Sequence, residues 1–123
     1  MKKILVVDDD NDIREITAKN LRQAGYEAMI AASGREALDI CQKHHPDLVL
    51  LDIAIPQMDG YETCRKIKQD TQTRDIAVLL VTGKGLLPEG INKHCQDLGA
   101  CGYISKPCTT GELLDKIREV LAE

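Results

Sequence analysis

The chain contains no Phe and no Trp, and its only aromatic residues are three Tyr. Stacking platforms for single-stranded nucleic acid are therefore absent, and the core must be aliphatic. Basic residues are the minority: 16 Lys and Arg stand against 20 Asp and Glu, for a formal net charge of −4. That balance disfavours a phosphate backbone as ligand, so direct nucleic-acid contact is not expected. No apolar run reaches the roughly 18 residues a membrane span needs. Lys2 and Lys3 have the look of a leader's basic tip, but the apolar run Ile4–Val7 meets Asp8 at once, which argues against secretion. Cys41, Cys64, Cys95, Cys101 and Cys108 make an odd set with no Cys-x-x-Cys pair. They are expected as free thiols in a reducing cytoplasm, not as a metal site or disulfide framework. Repeats, low-complexity tracts and Gly-, Ser- or Pro-rich linkers are also missing. At 123 residues, of which 43% are hydrophobic, the chain is expected to fold as one domain with a real core.

What is present is an alternation. Short aliphatic runs occur at Ile4–Val7, Ala28–Ala31, Leu48–Leu51, Ala77–Val81 and Gly102–Ile104. The first, third and fourth are apolar at nearly every position, as strands covered on both faces must be. Amphipathic stretches lie between them. Asn11 is expected to cap a helix carrying Ile13, Ile16, Leu21 and Ala24 at the helical period, with Gly25 stopping it. Ser33 with Glu36, Asp59 with Glu62, and Thr109 with Glu112 have capping-box spacing. The last pair opens a helix whose Leu113, Leu114, Ile117, Val120 and Leu121 face the core. Residues 89–98 form the weakest helical pattern, because Pro88 and Gly90 stand at its opening. Strands and helices in alternation imply a three-layer α/β domain: a doubly wound parallel sheet with helices on both faces.

In such sheets ligands bind beyond the carboxyl ends of the strands. Asp8, Asp9 and Asp10 follow the first run, Asp52 ends the third, Thr82 follows the fourth, and Lys106 with Pro107 lies just beyond the fifth. Helix capping accounts for Asp10 and Asp12. It does not account for Asp52, which closes an apolar run well before its helix begins. Carboxylates gathered this closely repel one another unless a cation joins them. An oxygen-only ligand set with open positions suits Mg²⁺. A carboxylate beside Mg²⁺ can attack phosphorus and become an aspartyl phosphate, in a transfer that depends on positioning and charge neutralisation. Lys106 can then balance the phosphoryl oxygens and Thr82 can donate a hydrogen bond to one. The chemistry points to phosphoryl transfer onto Asp52.

The segments Ile4-Leu5-Val6-Val7-Asp8-Asp9-Asp10, Pro46-Asp47-Leu48-Val49-Leu50-Leu51-Asp52, Pro56-Gln57-Met58-Asp59-Gly60, Val81-Thr82 and Gly102-Tyr103-Ile104-Ser105-Lys106-Pro107 occur in order across the chain. Together they resemble the response-regulator receiver domain of two-component signalling. The resemblance implies a flavodoxin-like sheet of strand order 2-1-3-4-5. It implies Asp52 as phosphoacceptor, Asp9 and Asp52 as direct Mg²⁺ ligands, the backbone carbonyl of Ala54 as a third, and Asp8 assisting through water. Lys106 and Thr82 would contact the phosphoryl group. Tyr103 would be an aromatic switch turning inward as Thr82 moves. A cis bond between Lys106 and Pro107 would aim the lysine into the site.

The chain departs from the family's usual pattern at several places. Gly83 stands where Ala is usual, Ala54 is small, Lys84 lies two beyond Thr82, and Cys108 replaces a common Phe. The stretch from Thr82 to Lys106 is longer than usual, with Gly85-Leu86-Leu87-Pro88 as the insertion. Plain structural readings stand beside the functional ones. Thr82 alone is an ordinary strand-end hydroxyl, and Tyr103 an ordinary half-buried strand residue. His44 and His45 suit a helix end before Pro46. His94, and the basic residues Arg65, Lys66, Lys68, Lys116 and Arg118, suit solvated helix faces.

The expected function is a phosphorylation-dependent switch, not an enzyme with a turnover substrate. It takes its phosphate from a sensor histidine kinase or phosphotransfer protein. It then signals to a downstream protein through the face of the fourth helical pattern, fifth strand and fifth helix, as a cytoplasmic monomer or weak dimer. The alternative is a Mg²⁺-dependent phosphohydrolase working through an aspartyl phosphate. A haloacid-dehalogenase-like enzyme would want an acid two residues after its nucleophile, where this chain has Ala54. A flavodoxin-like cofactor binder would want a Ser/Thr/Gly loop where Asp8-Asp9-Asp10 would repel a phosphate. With the sequence ending at Glu123 just after its last helix, residues 1–123 are expected to form a single receiver domain with no output domain.

Overall fold

A computed structural model describes residues 1–53, 60–82, 96–105 and 108–122. The strands are β1 (Lys3–Val7), β2 (Glu27–Ala31), β3 (Leu48–Asp52), β4 (Ala77–Thr82) and β5 (Gly102–Ser105). The helices are α1 (Asn11–Gln23), α2 (Gly34–His44), α3 (Gly60–Gln69) and α4 (Thr110–Leu121). A helical turn is also present at 96–98, the only described part of the pattern over 89–98. Asp59, and with it the Asp59–Glu62 capping pair, lies outside the described residues.

All strand pairs are parallel, in the order β2-β1-β3-β4-β5, as the sequence led us to expect. Period-two geometry sorts the apolar runs onto two faces. Leu5, Val7, Val49, Leu51, Val78 and Leu80 join Ala37 and Cys41 of α2 and Cys64 and Ile67 of α3 in one buried cluster. Ile4, Val6, Leu48, Leu50 and Leu79 join Ala18 and Leu21 of α1 and Ile117 of α4 in the other. The unbroken apolarity of Ile4–Val7, Leu48–Leu51 and Ala77–Val81 thus follows from a sheet covered on both sides. The winding reverses at β1, which lies between β2 and β3. The crevice beyond the carboxyl ends of β1 and β3 is where this fold offers a site.

Three local readings are corrected. The N-cap of α1 is Asp10, whose side chain accepts hydrogen bonds from the Asp12 and Ile13 N–H groups. Asn11 is the first helical residue instead. Asp wins because its carboxylate also complements the positive helix end. Ile13 and Ile16 are 40% and 59% exposed; α1 turns only Ala18 and Leu21 fully inward. Ala24 is the exposed C-cap, followed by Gly25 at φ +97°.

The Ser33 hydroxyl caps α2 by accepting from the Glu36 N–H, while the Glu36 carboxylate reaches the Ala32 N–H. Thr109 and Glu112 form a complete capping box on α4. Pro46 disfavours right-handed helical geometry in the residue before it, and the chain leaves α2 with His45 left-handed, at φ 45°. Among the described residues no helix is long and apolar enough to cross a membrane.

Candidate functional site

Register brings Asp8, Asp52 and Thr82 to one edge. Val7 pairs with Leu51, so the turn after β1 lies beside the end of β3. Asp52 pairs with Val81 and Thr82 with Ser105, so the β4 and β5 ends continue the same rim.

Asp8 leaves β1 held by its main chain and side chain together. Its N–H donates to the Ala31 carbonyl at 3.2 Å, and its Oδ1 accepts the Asp10 N–H at 2.9 Å. Its carbonyl accepts a hydrogen bond from Nη1 of Arg14, also at 2.9 Å. Asp8 and Asp52 are buried whereas Asp9 is exposed. Carboxylate oxygens of Asp8, Asp9 and Asp52 all lie within 4.8 Å of one another. Asp10, by contrast, is spent on the helix cap, which divides the acidic run into two roles.

Thr82 is fully buried, and among the described residues its Oγ1 has no hydrogen-bond partner. Burying an unsatisfied hydroxyl costs about 1–3 kcal/mol, so an acceptor arriving from the crevice would relieve a real penalty. Tyr103 sits half-buried on β5, paired with Leu80 and packed against the α2–α3 side of the core. Ala54, Lys106 and Pro107, with the bond between the last two, lie outside the described residues, as do Gly83, Lys84, residues 85–88, His94 and Cys95.

A cleft of about 650 Å³ runs from Asp8 and Asp52 between α1 and α4, lined among others by Ile13, Ile16 and Cys108. Asn20 Nδ2 donates to Thr110 Oγ1 at 3.2 Å between the same two helices. The exposed isoleucines therefore border an open groove.

The oxygen-only donor set fits a hard divalent cation such as Mg²⁺, which keeps water in its remaining positions. The orphaned Thr82 hydroxyl fits an oxyanion beside it. Two contributors were not legible as such. Gly60 begins α3 with its N–H donating to the Ile53 carbonyl at 3.1 Å, which seats the helix start directly on the backbone beyond Asp52. The sequence shows it only as a glycine ending a motif. Arg14 reads as one more charged residue on a helix surface, and no pattern flags its reach back to Asp8.

Residues 4–118 match the family model for the response regulator receiver domain. The chain belongs to this family. Its fold is similar to the chemotaxis protein CheY4 of Vibrio cholerae, with TM-score 0.89 and 33% identity over 98% of each chain. The N-terminal domain of a response regulator receiver protein from Methanoculleus marisnigri is 43% identical, with TM-score 0.79, covering 100% of this chain and 98% of that one. Among curated relatives, the probable transcriptional regulator ycf27 of Cyanophora paradoxa is 42% identical over 120 residues, which is 98% of this chain and 48% of the relative. The DNA-binding dual master transcriptional regulator RpaA of a Synechocystis strain is 35% identical over 121 residues, 98% of this chain and 49% of the relative. The chain thus spans about half the length of the curated relatives it matches. Receiver domains act as phosphorylation-dependent signalling switches and generally bind Mg²⁺ at an acidic pocket.

Proposed function

We propose that this receiver domain accepts a phosphoryl group on Asp52 from a sensor histidine kinase or phosphotransfer protein. An Asp52 carboxylate oxygen attacks phosphorus and an O–P bond forms. The bond from phosphorus to the donor's imidazole nitrogen breaks, and its electron pair stays on that nitrogen. Asp9, Asp52 and the Ala54 carbonyl hold Mg²⁺, with Asp8 assisting; the ion supplies neutralisation of the phosphoryl charge. Lys106 balances the same charge from across the pocket. Thr82 donates its hydroxyl hydrogen to a phosphoryl oxygen, and Tyr103 follows its movement.

One observation carries this reading. A fully buried Thr82 hydroxyl, without a hydrogen-bond partner among the described residues, stands on the same rim as carboxylate oxygens gathered within 4.8 Å. The output is a change in the surface formed by residues 89–98, β5 and α4, read by a protein target. The net charge of −4 and the lack of Phe and Trp support a protein rather than a nucleic acid as this domain's direct partner. The free thiols support a reducing, cytoplasmic setting.

The test is incubation with Mg²⁺ and a small phosphodonor, or with beryllofluoride, followed by intact mass and amide spectra. With the phosphodonor the parent should gain one phosphoryl group by mass, and with either reagent it should shift around Tyr103; Asp52→Asn should do neither. An equal response from Asp52→Asn would overturn the assignment.

A further inference from the structure

Among the described residues the Asp9 carboxylate has no hydrogen bond or ion pair of its own. Its position therefore depends on the backbone that carries it. The Asp8 carbonyl and the Asp9 N–H belong to one planar peptide unit, so fixing that oxygen fixes the plane from which Asp9 projects.

Arg14 is placed to do this. It is the first residue of α1 whose N–H joins the helical ladder, donating to the Asp10 carbonyl at 2.9 Å. Helical side chains lean toward the N-terminus, which carries its guanidinium back over the turn. There Nη1 donates to the Asp8 carbonyl and Nη2 to the Asn11 side-chain oxygen. Both acceptors are neutral, and Arg14 makes no ion pair among the described residues. Its contacts hold backbone in place rather than neutralise the carboxylates. The rigid fork of arginine suits this two-point attachment, whereas a lysine offers a single donor atom.

We infer that Arg14 is a positioning residue for the acidic pocket, locking the Asp8–Asp9 peptide so that the Asp9 carboxylate is presented to a divalent cation. This rests on the reading of that pocket as a Mg²⁺ site. Partners that orient metal ligands are typically worth about 10–100-fold in affinity.

The test is a Mg²⁺ titration of the full chain followed by amide resonances, for the parent, Arg14→Gln, Arg14→Lys and Arg22→Gln. The last is the control: Arg22 makes the same kind of bond, to the Ala28 carbonyl at 3.0 Å, on the strand-entry side of α1. Arg14→Gln should bind Mg²⁺ about ten-fold more weakly, Arg14→Lys should fall between it and the parent, and Arg22→Gln should match the parent. In metal-free protein the Asp9 amide nitrogen should move in both Arg14 variants and stay in Arg22→Gln. Parental affinity in either Arg14 variant overturns the inference, and Arg14→Lys decides alone should Arg14→Gln not fold. Tighter binding by Arg14→Gln would mean that charge dominates, and an equal loss in Arg22→Gln would mean general loosening; each overturns it. A parent that takes up no Mg²⁺ removes the underlying reading as well.

Discussion

A β-carbon on Gly60 would lie 2.4 Å from the Cα of Ile53 and 2.6 Å from the carbonyl oxygen of Asp52. Backbone meets backbone there, so the start of α3 and the end of β3 are a single packed unit. Alanine is a better helix former than glycine, yet Gly60→Ala should lower stability by about 1–3 kcal/mol, the usual range for overpacking. Phosphoryl uptake by Asp52 should slow with it, since the strand end must move. Urea unfolding and phosphodonor kinetics check both effects; unchanged stability would mean the helix backs away freely.

Thr82→Val should move two quantities in opposite directions. Replacing a buried, unpartnered hydroxyl with a methyl group removes a penalty of about 1–3 kcal/mol, so the unmodified protein should unfold at higher denaturant. The added stability brought by beryllofluoride should shrink, because the oxyanion loses a donor. A variant less stable than the parent would show that the hydroxyl is satisfied in solution.

The fold was legible because the sheet is buried on both faces, which left Ile4–Val7 and Leu48–Leu51 with no polar interruption before Asp8 and Asp52. Residues at the strand ends inherited their place from the topology alone. Contacts made by long side chains across turns were not legible. The reach of Arg14 to the Asp8 carbonyl, and of His45 just past α2 to Asp75 before β4, depends on rotamers and loop geometry that no spacing encodes. Helical period also overstated the core face of α1, because a groove remains open where Ile13 and Ile16 point.

That groove makes α1 tolerant on one face. Ile16→Gln should change stability by no more than about 0.5 kcal/mol, as surface substitutions do. Leu21→Ala, fully buried three positions inside the opposite end of the pattern, should cost about 2–5 kcal/mol. Thermal or urea melts separate them; comparable losses would show that the groove is closed in solution.

His45 Nε2 lies 2.9 Å from Asp75 Oδ1. That side-chain hydrogen bond, aided by nearby positive charge, holds the Asp75 carboxyl below its ordinary value of 3.8. The unfolded chain therefore takes up this proton first as the solution is acidified. The contribution is complete above the ordinary carboxylate range and is lost as pH falls through the lower folded value. In His45→Ala the carboxyl midpoint, read from side-chain carbon shifts, should rise toward the ordinary value. Equal midpoints in parent and variant would rule out the pairing in solution.

The thiols should separate by burial. Cys41 lies in the α2–α3 side of the core, where desolvation pushes its thiol from 9.0 up to about 12. Cys101 is exposed. The thiolate is the reactive form, so at mildly alkaline pH a disulfide reagent should label Cys101 in the native protein. Cys41 should react only after denaturant is added. The same shift sets a direction for stability. Above pH 9 the unfolded chain releases the Cys41 proton while the folded chain keeps it, so stability should decline from about pH 9 toward 12. Cys41→Ala should be less stable at neutral pH, from the cavity it leaves, but should show a shallower alkaline decline. An identical alkaline slope in parent and variant would mean that Cys41 ionises as freely in the folded protein as in the unfolded one.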